Sequence, residues 1–311
     1  MSAASKNIRL GLIGAGPWGR NYIKTIGALE GVTLSRLASS NPESRDLVAS
    51  TCVISPDWRD ALKTGDIDGV IIATPPATHA EVMLEAINIG LPVLAEKPMT
   101  MSAVDAKAVL AAADSKDSIV LIDHIHLYSA AWEALKREAK ALGPLRAISA
   151  VAGNWGPFRP DTPMLWDWGS HDIAMCLDLI GQTPDRAEAR GIEDRETADG
   201  RGQTLALELG FGDVTARIAL SNLHPQKERL FTASFQGGEL VYDDTADDKL
   251  RLKTAPGDFG RAPKLGPGTP LERIVRAFAG AIAAGQPATA DAGLGADVVR
   301  VLEQLEPKTI N

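Results

Sequence analysis

Apolar positions in the first 124 residues fall in short, nearly continuous runs separated by helix-like patterns. Residues 8–13, 33–38, 69–73, 92–95 and 119–122 make such runs, and near-continuous apolar character over so few residues suits strands covered on both faces. Between them, residues 18–29, 42–49, 57–63, 78–89 and 102–113 carry helical spacing. Strand and helix alternating in this way predict a parallel, doubly wound sheet with right-handed crossovers.

Beyond His124 the texture changes. Residues 130–142 read as a helix ending at Gly143-Pro144. Leu205, Leu207, Leu209 and Phe211 then alternate onto one face, and Val214, Ala216, Ile218 and Leu220 repeat the pattern after Gly212-Asp213. Residues 230–235 and 239–243 flank Gly237-Gly238 in the same manner. Period-two alternation broken by turn residues predicts an antiparallel meander with one apolar face. Residues 254–270 are rich in proline and glycine and read as a loop, and residues 271–284 and 292–305 are helical again. No internal repeat is visible.

Composition narrows the classes. The chain of 311 residues is long enough for two cores. Its formal net charge of -8 and the lack of any block of like charge argue against a nucleic-acid partner, although an anionic cofactor needs only a local basic pocket. Cys52 and Cys176 are too few and too far apart for a disulfide scaffold or a zinc knuckle, which fits a reducing cytoplasm. The first apolar run is short and glycine-broken, so it reads as a strand and turn rather than a leader. Nothing approaches the ~18 uninterrupted apolar residues of a membrane span.

The sequence Gly14-Ala15-Gly16-Pro17-Trp18-Gly19 has the GxGxxG spacing of a dinucleotide-binding turn. The first glycine permits the tight turn, the second lets the backbone approach a pyrophosphate, and the third allows helix and strand to pack closely. Pro17 and Trp18 open the following helix, whose free N–H groups and positive dipole end face the phosphates. Glycines often do no more than make turns, but here they join the first strand to the first helix. An acidic residue normally follows the second strand and holds the ribose of NAD. This chain has Ser39-Ser40-Asn41 there, with Arg45 just after. Hydroxyls and a guanidinium suit a 2′-phosphate, so NADP(H) is favoured and NAD(H) remains open; the serines could equally be helix caps. Thr74-Pro75-Pro76 ends the next strand at the same edge, and His79 starts a helix beside it. Glu96 and Lys97, at the end of the following strand, complete the cofactor set.

Glu96-Lys97-Pro98, together with GAGPWG, ATPPATH and Asp167-Trp168-Gly169-Ser170-His171, resembles the Gfo/Idh/MocA oxidoreductase family. The resemblance runs from Ile8 to about Leu305. It implies an N-terminal Rossmann domain, residues 1–124, and a C-terminal α/β domain, residues 125–311, built on an open, mostly antiparallel sheet. Members oxidise or reduce a carbinol carbon of a sugar, cyclitol or related compound. Lys97 matches the family's catalytic lysine, and Asp167 and His171 match its paired acid and histidine. The missing acid after the second strand departs from the pattern and bears on which dinucleotide binds.

The residues support that chemistry directly. Hydride transfer needs a group to take the hydroxyl proton and a group to steady the developing oxyanion. Lys97, at a strand's carboxyl end, suits the second task. Asp167 and His171, four apart, share one face of a helix; the histidine can act as base while the carboxylate orients it or grips another hydroxyl. Taken singly, Lys97 could be a surface turn residue and Asp167 a cap. His124 and His126 would share a face of a strand, yet no other histidine or cysteine cluster supports them, so no metal is expected. His124 is read as bordering the substrate pocket and His126 as packing. Trp155, Trp166 and Trp168 surround Asp167 in sequence; aromatic faces suit sugar C–H faces, though tryptophans also fill cores. Arg159 could meet a carboxylate or phosphate. The expected substrate set is therefore Lys97, His124, Trp155, Arg159, Asp167 and His171.

Three functions stay open: a dehydrogenase of a sugar, cyclitol or nucleotide-sugar, an enzyme that retains NAD(P) and uses transient oxidation for cleavage or epimerisation, and a nonenzymatic dinucleotide sensor. The second domain is expected to pair copies into a homodimer or homotetramer through its open sheet face.

Overall fold

The computed structural model describes residues 7–63, 65–159, 162–254, 258 and 260–306. In chain order the elements are β1 (Ile8–Ile13), α1 (Pro17–Ala28), β2 (Val32–Ala38), β3 (Val53–Ser55), β4 (Gly69–Ile72), α2 (His79–Asn88), β5 (Val93–Glu96), α3 (Ala103–Ser115) and β6 (Val120–Asp123). There follow α4 (Ala130–Ala139), β7 (Leu145–Trp155), α5 (Ser170–Ile180), β8 (Arg186–Thr197), β9 (Gly200–Phe211), β10 (Val214–Ser221), β11 (Leu223–Phe235), β12 (Gly238–Asp243), β13 (Leu250–Lys253), α6 (Pro270–Ala284) and α7 (Ala290–Leu305).

The strands build an α/β molecule with two sheets. The first has the order β3-β2-β1-β4-β5-β6, parallel throughout. Its direction of growth reverses between β1 and β4, which opens a crevice at the carboxyl ends of those strands. Both faces are covered: Val70, Ile71 and Ile72 of β4 and Val93, Leu94 and Ala95 of β5 are fully buried. Residues 42–49 and 57–63, expected as helices, make only 3-10 turns at Pro42–Leu47 and Trp58–Leu62. Asn41 and Asp57 tighten the two turns by accepting from the backbone N–H two residues on, at 3.0 Å each. The short edge strand β3 lies between them.

Two compact units divide the chain. One runs to His124 and takes back Thr269–Val299; the other holds Ile125–Gly268 and the chain from Arg300. The segment 269–299 therefore groups with the dinucleotide-fold unit, where the sequence reading had run one domain unbroken over residues 125–311. Its side chains account for this. Phe278 and Ile282 of α6 close over Gly69, Gly295 of α7 packs on Met99 and Ile122, and Ala288 bridges Ile119. Thr269 and Glu272 start α6 with a reciprocal capping box, and Gly285 ends it in the left-handed conformation.

The second unit's sheet has the order β13-β12-β11-β7-β10-β9-β8. It is antiparallel except where β7 runs parallel to β10. The expected meander is thus interrupted: β10 and β11, adjacent in sequence, each pair with β7 instead of with each other. Apolar residues explain the insertion, since Ile148, Ala150 and Ala152 of β7 continue the buried face made by Leu207, Leu209, Ile218 and Leu220. Trp132 of α4 covers the same sheet edge-on to Phe231, ring centroids 5.2 Å apart. On the opposite face Ala206 faces Ala219, ringed by the Arg217–Glu208 and Arg186–Glu208 ion pairs. Of the loop expected at 254–270, residues 255–257 and 259 lie outside the described residues; Arg261 pairs with Leu252. Among the described residues no helix is long and apolar enough to cross a membrane.

Candidate active site

In the first unit a cleft of about 810 Å³ opens at the β1–β4 crevice. Gly14, Gly16, Pro17, Ser39, Ser40, Thr74 and Pro75 line it, as the sequence suggested, and so do Arg20, Asn41 and Trp58, which it did not. Each glycine of the turn has its own reason. Gly14 has φ +100°, and a Cβ there would lie 2.5 Å from the Ala73 carbonyl oxygen. A Cβ at Gly19 would overlap the Gly14 carbonyl, so only glycine lets α1 sit this close to β1. At Gly16 a Cβ would meet nothing within 4 Å, because its open side is the cleft. The first turn of α1 has no capping side chain, which leaves its N–H groups for an anion. This donor set and its shape fit the pyrophosphate of a dinucleotide.

The end of β2 departs from expectation. Arg45 does not reach into the cleft: its guanidinium donates to the carbonyls of Cys52 at 2.8 Å and Ala49 at 2.5 Å, closing its own loop. Ser39 is engaged with Ser44, oxygen to oxygen 2.7 Å. Ser40 and Asn41 remain exposed at the cleft. Trp58 carries Arg59 over its ring at 4.1 Å. One signal was available for Trp58, a lone aromatic in a polar turn after a strand.

His79, Glu96 and Lys97 stand outside the lining of this cleft, as do Trp18, Gly19 and Pro76. His79 is fully buried, with its two ring nitrogens 2.9 Å from the Thr74 and Pro98 carbonyl oxygens. It ties the end of β4 to the turn that follows β5. Burial pushes its pKa down, while those backbone contacts pull it back up. Lys97 follows β5 directly. Beside it, Glu96 and Asp123 are register partners on β5 and β6, and the Tyr22 hydroxyl of α1 donates to Asp123 Oδ2 at 2.5 Å. Burial, reinforced by the Asp123 charge, pushes the Glu96 carboxyl well above the usual range. Asp123 is pushed up to about 6, burial again leading. The sequence reading did not single out Asp123 or Tyr22 as site residues.

His124 and His126 do not share a strand face, because β6 ends at Asp123 and Ile125–Tyr128 turns in a 3-10 helix. His124 is buried and held neutral: desolvation, then the charge of Lys97, brings it down to about 3.

In the second unit Asp167 sits in a π-helical turn, Leu165–Gly169, that leads into α5, while His171 is already in α5. Arg159 forms an ion pair with Asp167, Nε to Oδ2 3.1 Å. His171 meets His126 edge-on, ring centroids 5.1 Å apart, and His126 Nδ1 lies 3.0 Å from the Tyr242 hydroxyl. Of the tryptophans, Trp166 is core, donating to Glu306 at 2.5 Å. Trp155 is 45% exposed, packs edge-on to Phe158 and donates to Asp199 at 3.1 Å. Trp168 is half-buried. The structure thus pairs Arg159 with Asp167, and gathers His126 with His171 and Tyr242.

Comparison with known proteins gives a consistent picture. The profile of the GFO_IDH_MocA group, an oxidoreductase family with an NAD-binding Rossmann fold, matches residues 8–124. The UDP-N-acetylglucosamine 3-dehydrogenase of Acidithiobacillus ferrooxidans is 30% identical over 191 residues, 60% of this chain and 58% of that protein. Its solved structure superposes with a TM-score of 0.81 at 26% identity, over 96% of each chain. Inositol 2-dehydrogenase 4 of Saccharopolyspora erythraea is 29% identical over 191 residues, 58% of this chain and 56% of that one. Each of these alignments spans less than two thirds of the curated relative's own length. A solved structure from Magnetospirillum magnetotacticum MS-1, of a protein assigned as an oxidoreductase, is 45% identical with a TM-score of 0.91, covering 96% of this chain and 100% of that chain.

Proposed function

Since the chain belongs to the Gfo/Idh/MocA family of oxidoreductases, we propose that it transfers hydride between a nicotinamide dinucleotide and a carbinol or carbonyl carbon of a sugar, cyclitol or nucleotide-sugar. The observation that carries this reading is the glycine cradle, where Gly16 alone faces open space at the head of α1.

The dinucleotide, when bound, supplies a hydride acceptor or donor. Gly14, Gly16 and the first turn of α1 hold its pyrophosphate, and Ser40 and Asn41 meet its adenosine ribose. With no carboxylate at that position to repel a 2′-phosphate, NADP(H) is favoured over NAD(H); Arg45 plays no part in the preference. Lys97 steadies the negative charge that develops on the substrate oxygen. His171 takes and returns the hydroxyl proton. Asp167, anchored by Arg159, orients the substrate through a neighbouring hydroxyl. The relatives' substrates, an inositol and a UDP-sugar, support a polyol ligand. Cys52 and Cys176, both buried and free, suit a cytoplasmic setting, and the open face of the second sheet suits a homodimer or homotetramer.

Fluorescence titration with NADPH and NADH, followed by a panel of inositols, aldoses and UDP-sugars with the tighter dinucleotide, tests the reading. Saturable binding with NADPH the tighter, and steady formation of reduced or oxidised cofactor with one class, is the expected result. Failure to bind either dinucleotide sinks it. Tight binding without net turnover of the cofactor would turn the argument to transient oxidation.

A further inference from the structure

Behind the Lys97 turn, the first unit buries more carboxyl oxygen than its donors satisfy. Glu96 and Asp123 are partners across parallel strands, so their side chains leave the sheet on the same face. Both are buried, at 7% and 2% exposure. Tyr22 serves Asp123 Oδ2, yet Glu96 Oε1 and Asp123 Oδ1 have no hydrogen-bond partner among the described residues. Ionised carboxylates only accept, so two of them cannot satisfy each other. A proton on Glu96 changes this, making one orphaned oxygen a donor and the other its acceptor.

We propose that Glu96 and Asp123 are positioning residues that share a single proton, and that the one negative charge they retain holds the Lys97 ammonium in place for the reaction. The second clause rests on the oxidoreductase reading; the first does not.

The surroundings say which carboxyl carries the charge. Glu96, driven furthest up by burial and by its neighbour, is the acid. Asp123 is the anion, drawn down by Tyr22, by Lys97 and by Glu96 against its burial. The groups acting on the pair are Tyr22 from α1 and Lys97 after β5, and His79 and His124 feel the Lys97 charge in turn. Burial lowers His79, and His124 stays neutral, so Lys97 is the cation that answers the pair. As pH falls through about 6, Asp123 takes up a proton, the pair becomes neutral and its pull on Lys97 is lost.

Infrared spectroscopy of the full chain in heavy water reads a protonated carboxyl directly and needs no substrate. The carbonyl band of the acid should persist above pH 7 in the wild type. It should vanish in Glu96→Gln, whose amide replaces the shared donor and leaves the Asp123 charge intact. Asp123→Asn should keep the band and remove the anion. Turnover with the polyol and cofactor found by the panel should then lose its acid limb near pH 6, while Glu96→Gln retains it. Tyr22→Phe removes a donor that draws Asp123 down, so its acid limb should move to higher pH; it carries the test if Asp123→Asn does not fold. No protonated carboxyl above pH 7, or a band that survives Glu96→Gln, overturns the shared proton. Reduced rates with unmoved pH profiles in Asp123→Asn and Tyr22→Phe overturn the positioning role and leave only packing. A protein that binds no dinucleotide would defeat the oxidoreductase reading while the infrared result stood.

Discussion

A methyl group at Gly16 would project into the cleft, whereas one at Gly19 would collide with the Gly14 carbonyl. The two alanine variants should therefore fail differently. Gly19→Ala overpacks a rigid contact and should cost about 1–3 kcal/mol of stability, seen as a lower Tm. Gly16→Ala should keep its Tm within the effect of ~0.5 kcal/mol expected at an uncrowded site, yet bind NADPH poorly, because the methyl stands where the pyrophosphate approaches. Equal behaviour of the two variants would dissolve the distinction. At Lys97, substitution by methionine keeps most of the stem and removes the charge. Turnover should fall on the order of 10²–10³ while dinucleotide affinity survives; normal turnover on the true substrate would remove Lys97 from the mechanism. The shape of the glycine turn and the place of Lys97 at a strand end were legible in the sequence because both depend on local spacing. Arg45 was misread because position alone cannot say that its guanidinium is consumed by carbonyls of its own loop.

Among the elements, β1, β2, β4, β5 and β6 announced themselves by near-continuous apolar runs, and β9 and β10 by alternation. The long strand β8 gave no such signal: from Arg186 to Thr197 it is polar and largely exposed on both sides, and it becomes a strand through pairing with β9. The position of β7 was also hidden, since register between distant segments leaves no periodicity to read. The site suffered similarly where it depends on contacts distant in sequence. Tyr22 meets Asp123 across 101 residues, and neither residue type at its own position suggests the other. One long-range tie can be tested at this scale. Asp172 of α5 is buried and paired with Arg229 of β11 at 3.2 Å. Arg229→Leu leaves that carboxylate uncompensated and should cost about 3–5 kcal/mol, measured by denaturant unfolding. Replacing both residues by leucine should recover much of the loss, and a double variant no better than the single one would show that the pair is not coupled.

At the scale of the whole molecule, pH stability and association are the measurable properties. His124, brought down to about 3, stays neutral in the folded chain, while the unfolded chain takes up a proton near the usual ~6.5. The unfolded state then binds more protons, so this group's contribution to stability is lost as pH falls from 6.5 toward 3. Asp123, whose pKa is raised to about 6, acts in the opposite sense, its contribution fading as pH rises from the carboxylate range through about 6. Replacing His124 by asparagine should therefore reduce the drop in Tm between pH 7 and pH 5, and an unchanged drop would assign it to other groups. Association should run through the face around Ala206 and Ala219. Light scattering at micromolar concentration is expected to give a multiple of the 32.9 kDa chain, and Ala219→Glu should reduce it; a monomer mass for the wild type ends the proposal.

The return of residues 269–299 to the first unit has a consequence for how the protein is made. A ribosome releases β1 through β6 long before α6 and α7 exist, so Gly69, Met99 and Ile122 wait without the side chains that later cover them. At ~5–20 residues per second, the 175 residues from 124 to 299 take about 9–35 s to translate. Throughout that interval the nascent nucleotide-binding half is an incomplete fold with an apolar flank, a natural client for chaperones. The sheet of the second unit is complete once β13 has emerged, but that unit also takes back the chain from Arg300, where Glu306 accepts from the buried Trp166, so both units close only when the last helix has been made.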